Sequence, residues 1–196
     1  MIFQTLKSNK GNLIEGPLLL DPKIFNDERG YFYESWNQNN FNSIVGKQIN
    51  FSQDNVSFSK KWVLRGMHYQ KMPTPQSKLV RCIDGEIYDV AVDLRKNSST
   101  FGEWIGAILN KENKLQLWIP EGFAHGFLCL KDKTLVSYKA SGYWDKESER
   151  SLRWDDKTVK IKWPIKRSNE KYLILSKKDN SSCSLNQLIE NEDLFY

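Results

Sequence analysis

From Phe51 onward the chain consists of short apolar segments separated by turn residues, with no repeat, low-complexity tract or linker. This pattern predicts an antiparallel β-sandwich or barrel. In the segment KLVRCIDGEIYDVAVDLR, Asp84 and Gly85 separate two alternating runs and predict a tight hairpin. The second run predicts one apolar and one polar face. Tyr88, Val90, Val92 and Leu94 share the first face, and Ile87, Asp89, Ala91 and Asp93 share the second.

Helical patterns are few and short. Residues 40–45 are a candidate helix ended by Gly46, and Ser184 with Gln187 resembles a capping box at the start of a C-terminal helix. Neither segment is long enough to define the architecture. We therefore predict an all-β protein with a few short peripheral helices.

Composition and charge narrow the class of protein. With 39% hydrophobic and 27% charged residues, the chain has the composition of an ordinary folded protein. We expect one domain over residues 1–196, ending in a short helical tail at about 180–196.

The net charge of +5 permits an anionic partner, but the basic run 157–171 has no aromatic platform or nucleic-acid motif. The N-terminus lacks the apolar core of a secretory signal, and no segment is apolar enough to span a bilayer. We predict a cytoplasmic protein that binds neither nucleic acid nor membranes.

The chain has only two histidines, and both lie in apolar runs close to a glycine. His68 lies in VLRGMHYQ, three residues after Arg65 and ten before Lys78, and His125 lies in IPEGFAHGFLCL. Nearby cations favour the neutral form of an imidazole, which can act as a base near pH 7. The nearby cations therefore make proton transfer a candidate role beside a purely structural one.

The segment PEGFAH resembles the PxGxxH element of the cupins, small jelly-roll β-barrels whose mouth often holds a metal. The usual HxH pair appears here as His68-Tyr69-Gln70, and no glutamate follows at ligand spacing. Two imidazoles and an amide make a poor site for zinc or iron. Cys82 and Cys129 lie in strand-like runs without a CxxC motif and are expected to be buried free thiols. We predict a cupin-type barrel without a metal.

Several long blocks follow one another along most of the chain: DPKIFNDERGYFYESW, FSQDNVSFSKKWVLRGMHYQ, QSKLVRCIDGEIYDVAVDLRKNSSTFG, LWIPEGFAHGF, ESERSLRWDD and LSKKD. In sequence and order they resemble the dTDP-4-dehydrorhamnose 3,5-epimerase family of metal-free cupins. The resemblance implies an isomerase that inverts C3, C5 or both of dTDP-4-dehydro-6-deoxy-D-glucose without a cofactor; inversion of both centres gives dTDP-4-dehydro-L-rhamnose. It also implies a homodimer in which N-terminal segments contribute to the neighbour's site.

The resemblance assigns roles by position. His68 matches the general base, and Asp179 matches the acid that orients it. Tyr138 matches the proton donor on the opposite face of the sugar, and Lys78 matches a group near the ketone. The other matches are contacts to the sugar and the nucleotide diphosphate: Arg29, Glu34, Gln53, Asn55, Arg65, His125, Trp144, Glu149 and Lys178.

The reaction needs these residue types. A proton on carbon next to a ketone is about ten pKa units less acidic than imidazolium, a gap of roughly 14 kcal/mol. A base alone cannot close that gap, so the developing enolate needs a fixed cation such as Lys78 in a water-poor pocket. Inversion then requires reprotonation from the other face, which the phenol of Tyr138 can supply and His68 cannot.

Two positions add to this assignment. Trp144 stands where the family has a tyrosine that stacks on thymine. The indole also offers a face for stacking, so nucleotide binding is expected, while the base preference stays open. Asp89, on the polar face of its strand, is a further candidate that is expected to orient His125.

Four alternatives remain open. The first is inversion of C3 alone or of C5 alone, since the sequence does not define how the sugar is oriented in the site. A cupin sugar 3,4-ketoisomerase would share the barrel but move the ketone. A non-catalytic sugar-nucleotide binding module would keep Arg29, Arg65 and Trp144 but tolerate loss of His68 or Tyr138, both of which are present here. Nucleic-acid binding has only the net charge in its favour.

Overall fold

The computed structural model describes residues 1–196, and its strands form two antiparallel sheets that face each other. The strands are Ile2–Lys7 (β1), Leu13–Asp21 (β2), Ile24–Asp27 (β3), Gly30–Tyr33 (β4), Gln53–Ser59 (β5), Leu64–Gln70 (β6), Lys78–Asp84 (β7), Glu86–Asp93 (β8), Trp104–Asn110 (β9), Gln116–Ile119 (β10), Phe123–Cys129 (β11), Thr134–Ala140 (β12) and Glu149–Ser151 (β13). One sheet has the order β1-β2-β10-β7-β12-β5, the other β13-β6-β11-β8-β9, and β3 pairs with β4 alone. This arrangement confirms the predicted all-β jelly-roll fold.

The predicted hairpin at Asp84 and Gly85 is wrong. Strand β7 pairs with β10 and β12 in one sheet, whereas β8 pairs with β9 and β11 in the other. The turn is a corner at which the chain passes between sheets. Gly85 has φ 80°, and a Cβ there would lie 2.4 Å from Thr134 Oγ1, so the corner requires glycine. An Asp-Gly turn reverses the chain, but sheet packing decides which strands pair.

Strand β8 is buried on both faces. Ile87 and Ala91 belong to the apolar cluster inside the barrel, and Asp89, on the same face, is fully buried. Val90 and Val92, on the other face, pack with residues of the C-terminal segment. The predicted polar face therefore lies inside the barrel. The C-terminal segment covers the predicted apolar face, so neither face of the strand is exposed to solvent.

Three short α-helices lie outside the barrel: Gln38–Val45 (α1), Lys177–Asn180 (α2) and Leu185–Glu190 (α3). A 3₁₀ helix spans Arg167–Tyr172. Helix α1 ends at Gly46 in the left-handed conformation, and Ser184 with Gln187 forms the capping box of α3. Both predicted helices are confirmed. None of the helices is long and apolar enough to cross a membrane.

A bulge in β6 shapes the inner wall of the barrel. Against β11, Arg65 pairs with Phe127 and His68 pairs with His125, so β6 has one more residue than its partner over this stretch. Gly66 has φ 129°, and a Cβ there would lie 2.5 Å from a backbone atom of β11, so the close approach requires glycine. Beyond the bulge, His68 lines the barrel cavity.

The burial of Cys82 and Cys129 is as the sequence predicts. Cys82 and Cys129 are buried free thiols, and Cys183 is a half-buried one. The basic side chains of the run 157–171 are exposed.

Candidate active site

A cavity of about 170 Å³ between the two sheets collects most of the predicted site residues. Seven of them line it: Gln53, Asn55, His68, Lys78, Tyr138, Trp144 and Glu149. Larger grooves of about 710 and 1040 Å³ occur elsewhere on the surface, but none of the predicted site residues lines them. The predicted site residues therefore line the smaller cavity between the sheets rather than the larger surface grooves.

His68 and Asp179 form a hydrogen-bonded pair although 111 positions separate them. His68 Nε2 lies 2.5 Å from Asp179 Oδ1. Helix α2 carries Asp179, and Ser176 caps this helix by accepting a hydrogen bond from the Asp179 N–H at 3.0 Å. A β-bridge between Val63 and Ile174 anchors the preceding segment to the start of β6. Burial raises the pKa of Asp179, but the contact with His68 outweighs it and holds this pKa below its usual value.

Lys78 is a buried cation beside this pair. It lies on β7, and its Nζ donates a hydrogen bond to the backbone oxygen of His68 at 3.2 Å. Burial lowers the pKa of Lys78 to about 8, and the negative charges of Asp89 and Glu149 oppose the shift. The side chain is therefore mainly an ammonium at pH 7, in a position suited to stabilise a negatively charged oxygen in the cavity.

Tyr138 lines the cavity from the other sheet. It lies on β12, next to Val80 of β7, whereas His68 lies on β6 of the five-stranded sheet. Burial raises the pKa of Tyr138, and the charge of Arg65 acts in the opposite direction. The phenol therefore keeps its proton at neutral pH. A molecule held between the sheets would meet an imidazole on one face and a protonated phenol on the other.

His125 makes the predicted contact with Asp89. His125 Nε2 lies 2.6 Å from Asp89 Oδ1, and both side chains are buried. Burial lowers the pKa of His125, while the charge of Asp89 acts in the opposite direction. This imidazole is therefore neutral at pH 7. Asp89 Oδ2 has no hydrogen-bond partner, although it is buried.

The donor set of the cavity does not fit a metal centre. No group of three or more His, Cys, Asp or Glu side chains is close enough to hold an ion. Each imidazole uses Nε2 for a carboxylate, and Gln70, at the second position of the HxH pattern, is bonded to backbone groups. Zinc and iron favour more imidazole, carboxylate or thiolate ligands than this arrangement offers.

Polar groups connect the loop around Trp144 to the barrel and to α2. Gln53 Oε1 accepts a hydrogen bond from the Trp144 N–H at 3.0 Å, and Gln53 Nε2 donates to Asn55 Oδ1 at 2.9 Å. Lys178 Nζ lies 2.6 Å from Glu149 Oε2. Trp144 itself is 56% exposed, so its indole face is accessible for stacking.

Five predicted contacts do not line the cavity: His125 and Lys178, whose carboxylate partners are given above, and Arg65, Arg29 and Glu34. Arg65 is exposed, and its Nε donates to Ser59 Oγ at 3.2 Å. The side chain of Arg29 is 86% exposed at the β3–β4 hairpin and pairs with Asp27 at 2.6 Å. Glu34 is also exposed, just after β4. Within one chain, Arg29 and Glu34 are not brought to the cavity.

Besides Tyr69, which also lines the cavity, three residues of the site were not predicted. Gln70 and Gln76 line the cavity, and Ser176 caps the helix that carries Asp179. The spacing of Ser176 and Asp179 is a capping signal that would have located α2. No local signal marks Gln70, because one of its partners, Asp145, lies 75 positions away.

The fold is that of a cupin-type barrel, and its cavity holds side chains of the types that can transfer protons. The family model for dTDP-4-dehydrorhamnose 3,5-epimerase matches residues 12–187. The dTDP-4-dehydrorhamnose 3,5-epimerase of Salmonella typhimurium is 50% identical over 89% of this chain and 93% of its own, and that of Shigella flexneri is 55% identical over 76% and 82%. The chain belongs to the dTDP-4-dehydrorhamnose 3,5-epimerase family and is an isomerase.

A solved structure agrees with this assignment. The crystal structure of dTDP-6-deoxy-D-glucose-3,5-epimerase from Legionella pneumophila, in complex with dTDP-4-keto-L-rhamnose, superposes with a TM-score of 0.88 at 42% identity. The match covers 99% of this chain and 98% of that one. This chain therefore shares its jelly-roll barrel with a family member whose complex with a sugar nucleotide has been solved.

Proposed function

We propose that the protein inverts both C3 and C5 of dTDP-4-dehydro-6-deoxy-D-glucose and so yields dTDP-4-dehydro-L-rhamnose. The observation that carries this proposal is the convergence of the His68–Asp179 pair, Lys78 and Tyr138 on one cavity from two facing sheets. The ligand of the Legionella structure supports the substrate class. The reaction uses no cofactor, because the ketone acidifies the neighbouring carbon and the protein supplies the base, the cation and the acid.

His68 removes the proton from the carbon next to the ketone. Because Nε2 is bonded to Asp179, Nδ1 is the nitrogen that accepts this proton. The carboxylate then stabilises the imidazolium that forms. Electrons from the broken C–H bond move to the ketone oxygen, and the ammonium of Lys78 stabilises the resulting enolate.

Tyr138 completes the inversion. The phenol is protonated at neutral pH because burial raises its pKa, and it belongs to the sheet opposite His68. It donates its proton to the carbon from the face opposite to that of the abstraction. His125, with its neutral imidazole, takes no proton from the sugar and instead holds Asp89, whose charge acts on Lys78.

The nucleotide part binds outside the reacting centre. Trp144 stacks on the base through its accessible indole face. Arg65 provides a guanidinium for the diphosphate, a planar donor that suits phosphate oxygens. Gln53, Asn55 and the Glu149–Lys178 pair make polar contacts to the rest of the ligand.

We also propose that the chain acts as a cytoplasmic homodimer of single-domain subunits spanning residues 1–196, with Arg29 and Glu34 reaching the neighbour's cavity. Their exposure and their position away from the cavity of their own chain support this role. Sedimentation equilibrium tests the dimer. Mixing an Arg29→Ala variant with a His68→Asn variant should restore part of the activity, since one site in a mixed dimer would be complete; no restoration would count against a shared site.

The experiment that tests the function is incubation with dTDP-4-dehydro-6-deoxy-D-glucose in deuterated water, followed by NMR. Deuterium at both C3 and C5 of an L-configured product is the expected result. Deuterium at one centre would identify a single-centre epimerase, and a shifted ketone would identify a 3,4-ketoisomerase. Tight binding without any deuterium incorporation would indicate a binding module and overturn the proposal.

A further inference from the structure

Gln70 joins the end of β6 to two loops at the cavity. The residue is 2% exposed and lines the cavity beside His68. Its Nε2 donates hydrogen bonds to the backbone oxygens of Thr74 at 2.6 Å and Tyr143 at 3.2 Å. Its Oε1 accepts a hydrogen bond from the Asp145 N–H at 2.8 Å. One buried amide therefore holds residues of both the 71–77 loop and the 141–148 loop.

These bonds use both donors of the Gln70 amide. A primary amide has two N–H donors and one carbonyl oxygen. Since both donors are bonded to backbone carbonyls, a substrate could receive a hydrogen bond from Gln70 only by displacing one of them. The residue is therefore built to bind the protein's own backbone rather than a ligand.

The bonded positions flank Trp144 on both sides. Gln70 binds the residue before it and the residue after it, and Gln53 binds the Trp144 N–H. The indole is largely exposed, so packing alone does not orient it. The backbone on either side of this side chain is thus tied to an inward-facing residue of the barrel wall.

We propose that Gln70 is a positioning residue for Trp144 that sets nucleotide affinity without acting on the reacting carbon. This inference rests on the proposed role of Trp144 in stacking on the base. The Gln70 side chain thus serves as a bridge between two loops. Rigid placement of the indole lowers the ordering cost of binding.

The test variant is Gln70→Met, which keeps the length of the side chain but leaves three backbone groups without their hydrogen-bond partner. The control is Gln48→Met, the same substitution at an exposed glutamine. We expect Gln70→Met to weaken dTDP binding about tenfold, as loss of buried hydrogen bonds implies. The kcat at saturating substrate should change by less than about threefold, because the His68 and Tyr138 side chains are not bonded to Gln70. Gln48→Met should change neither quantity.

Two readouts separate positioning from a general structural effect. Amide hydrogen exchange at Asp145, whose N–H is bonded to Gln70, should become faster in Gln70→Met. In a Trp144→Ala background, the same substitution should change dTDP affinity by less than about twofold, because a residue that acts through Trp144 has nothing left to position. If Gln70→Met does not fold, Gln70→Glu replaces it, since it keeps the acceptor and loses the donors.

Other results would overturn the inference. An unchanged dTDP affinity in Gln70→Met, or effects of Gln70→Met and Trp144→Ala that multiply, would show that Gln70 does not act through Trp144. A loss of kcat at unchanged affinity would give it a role in the chemistry instead. If Trp144→Ala alone leaves dTDP affinity unchanged, the stacking role itself fails, and this outcome is distinguishable because it does not involve Gln70.

Discussion

The barrel contains two histidine–aspartate pairs that look alike but differ in their surroundings. The distances between Nε2 and Oδ1 are 2.5 Å for His68–Asp179 and 2.6 Å for His125–Asp89. The His68 side chain is 29% exposed, whereas that of His125 is only 6% exposed. The first acid comes from helix α2 in the C-terminal segment, and the second comes from the adjacent strand β8. Only the first imidazole is accessible from the cavity.

Because the two pairs have similar hydrogen bonds but different exposure, the hydrogen bond alone does not define the role of such a pair. Burial lowers the pKa of His125, so this histidine stays neutral and holds Asp89 in place. The charge of Asp89 in turn raises the pKa of Lys78 against the effect of burial. We therefore propose that the accessible pair transfers protons and that the buried pair supports the charge of the lysine.

The strongest test of this division replaces each histidine with asparagine. His68→Asn should slow deuterium incorporation into the substrate by about 10³-fold, because the base is lost while the size of the side chain is nearly kept. His125→Asn should slow it by about tenfold, because a contact is lost but not the base. NMR in deuterated water measures both rates, with dTDP affinity as the control. Equal losses in the two variants would contradict the division.

Asp179→Asn comes next in size. An asparagine can still bond to His68, but it carries no charge to stabilise the imidazolium, so we expect exchange to slow by about 10²-fold. Its affinity for dTDP should stay unchanged. The same assay checks this rate, and a variant as fast as the unmodified protein would remove Asp179 from the mechanism.

Asp89→Asn should change the pH profile rather than only the rate. Lys78 must be protonated to stabilise the enolate, and its pKa of about 8 predicts that the rate falls as the pH rises through 8. Removing the charge of Asp89 lowers the pKa of Lys78, so the alkaline fall should move to lower pH. Glu149 and Lys178 are the other charges that shift this pKa, and both stay in the variant.

Asp179→Asn is the matched control for that profile. Asp179 is not among the main charges that shift the pKa of Lys78, so its variant should keep the alkaline fall where it is. Rates of deuterium incorporation between pH 6 and 10 at saturating substrate provide the comparison. If the rate of Asp89→Asn falls at the same alkaline pH as that of the unmodified protein, the charge of Asp89 does not control the pKa of Lys78.

The smallest expected effect concerns the two capping serines. Ser176 caps the single turn that carries Asp179, and Ser184 caps α3, which has no catalytic residue. Each change to alanine should lower the free energy of unfolding by about 1 kcal/mol. Only Ser176→Ala should also slow deuterium incorporation into the substrate, by roughly three- to tenfold, because a turn this short depends on its cap to hold Asp179. Chemical denaturation and the exchange assay measure the two effects.

Ser176→Thr, which keeps the capping oxygen, should restore most of the exchange rate. A similar loss of rate in Ser184→Ala would mean that the slowing reflects stability alone. The pair of variants thus separates the position of one carboxylate from the general stability of the C-terminal segment.

Much of the site was predictable because it depends on residue type and local pattern. The family-like blocks identified His68, Lys78 and Tyr138, and all three line one cavity. The alternation in β8 placed Asp89 on the face from which it contacts His125. Gln70 was not predictable as a bridge, because its partners are backbone groups of loops that only the folded barrel brings together.

The sequence by itself determined the elements that depend on neighbours along the chain: the alternating strands, the αL stop at Gly46 and the capping box at Ser184. Packing between distant segments decided the rest. It turned the Asp84–Gly85 reversal into a corner between sheets, covered both faces of β8, and brought Asp179 against His68 across 111 positions. The reason is physical: periodicity and caps record local geometry, whereas pairing and burial depend on which surfaces close over one another when the barrel forms.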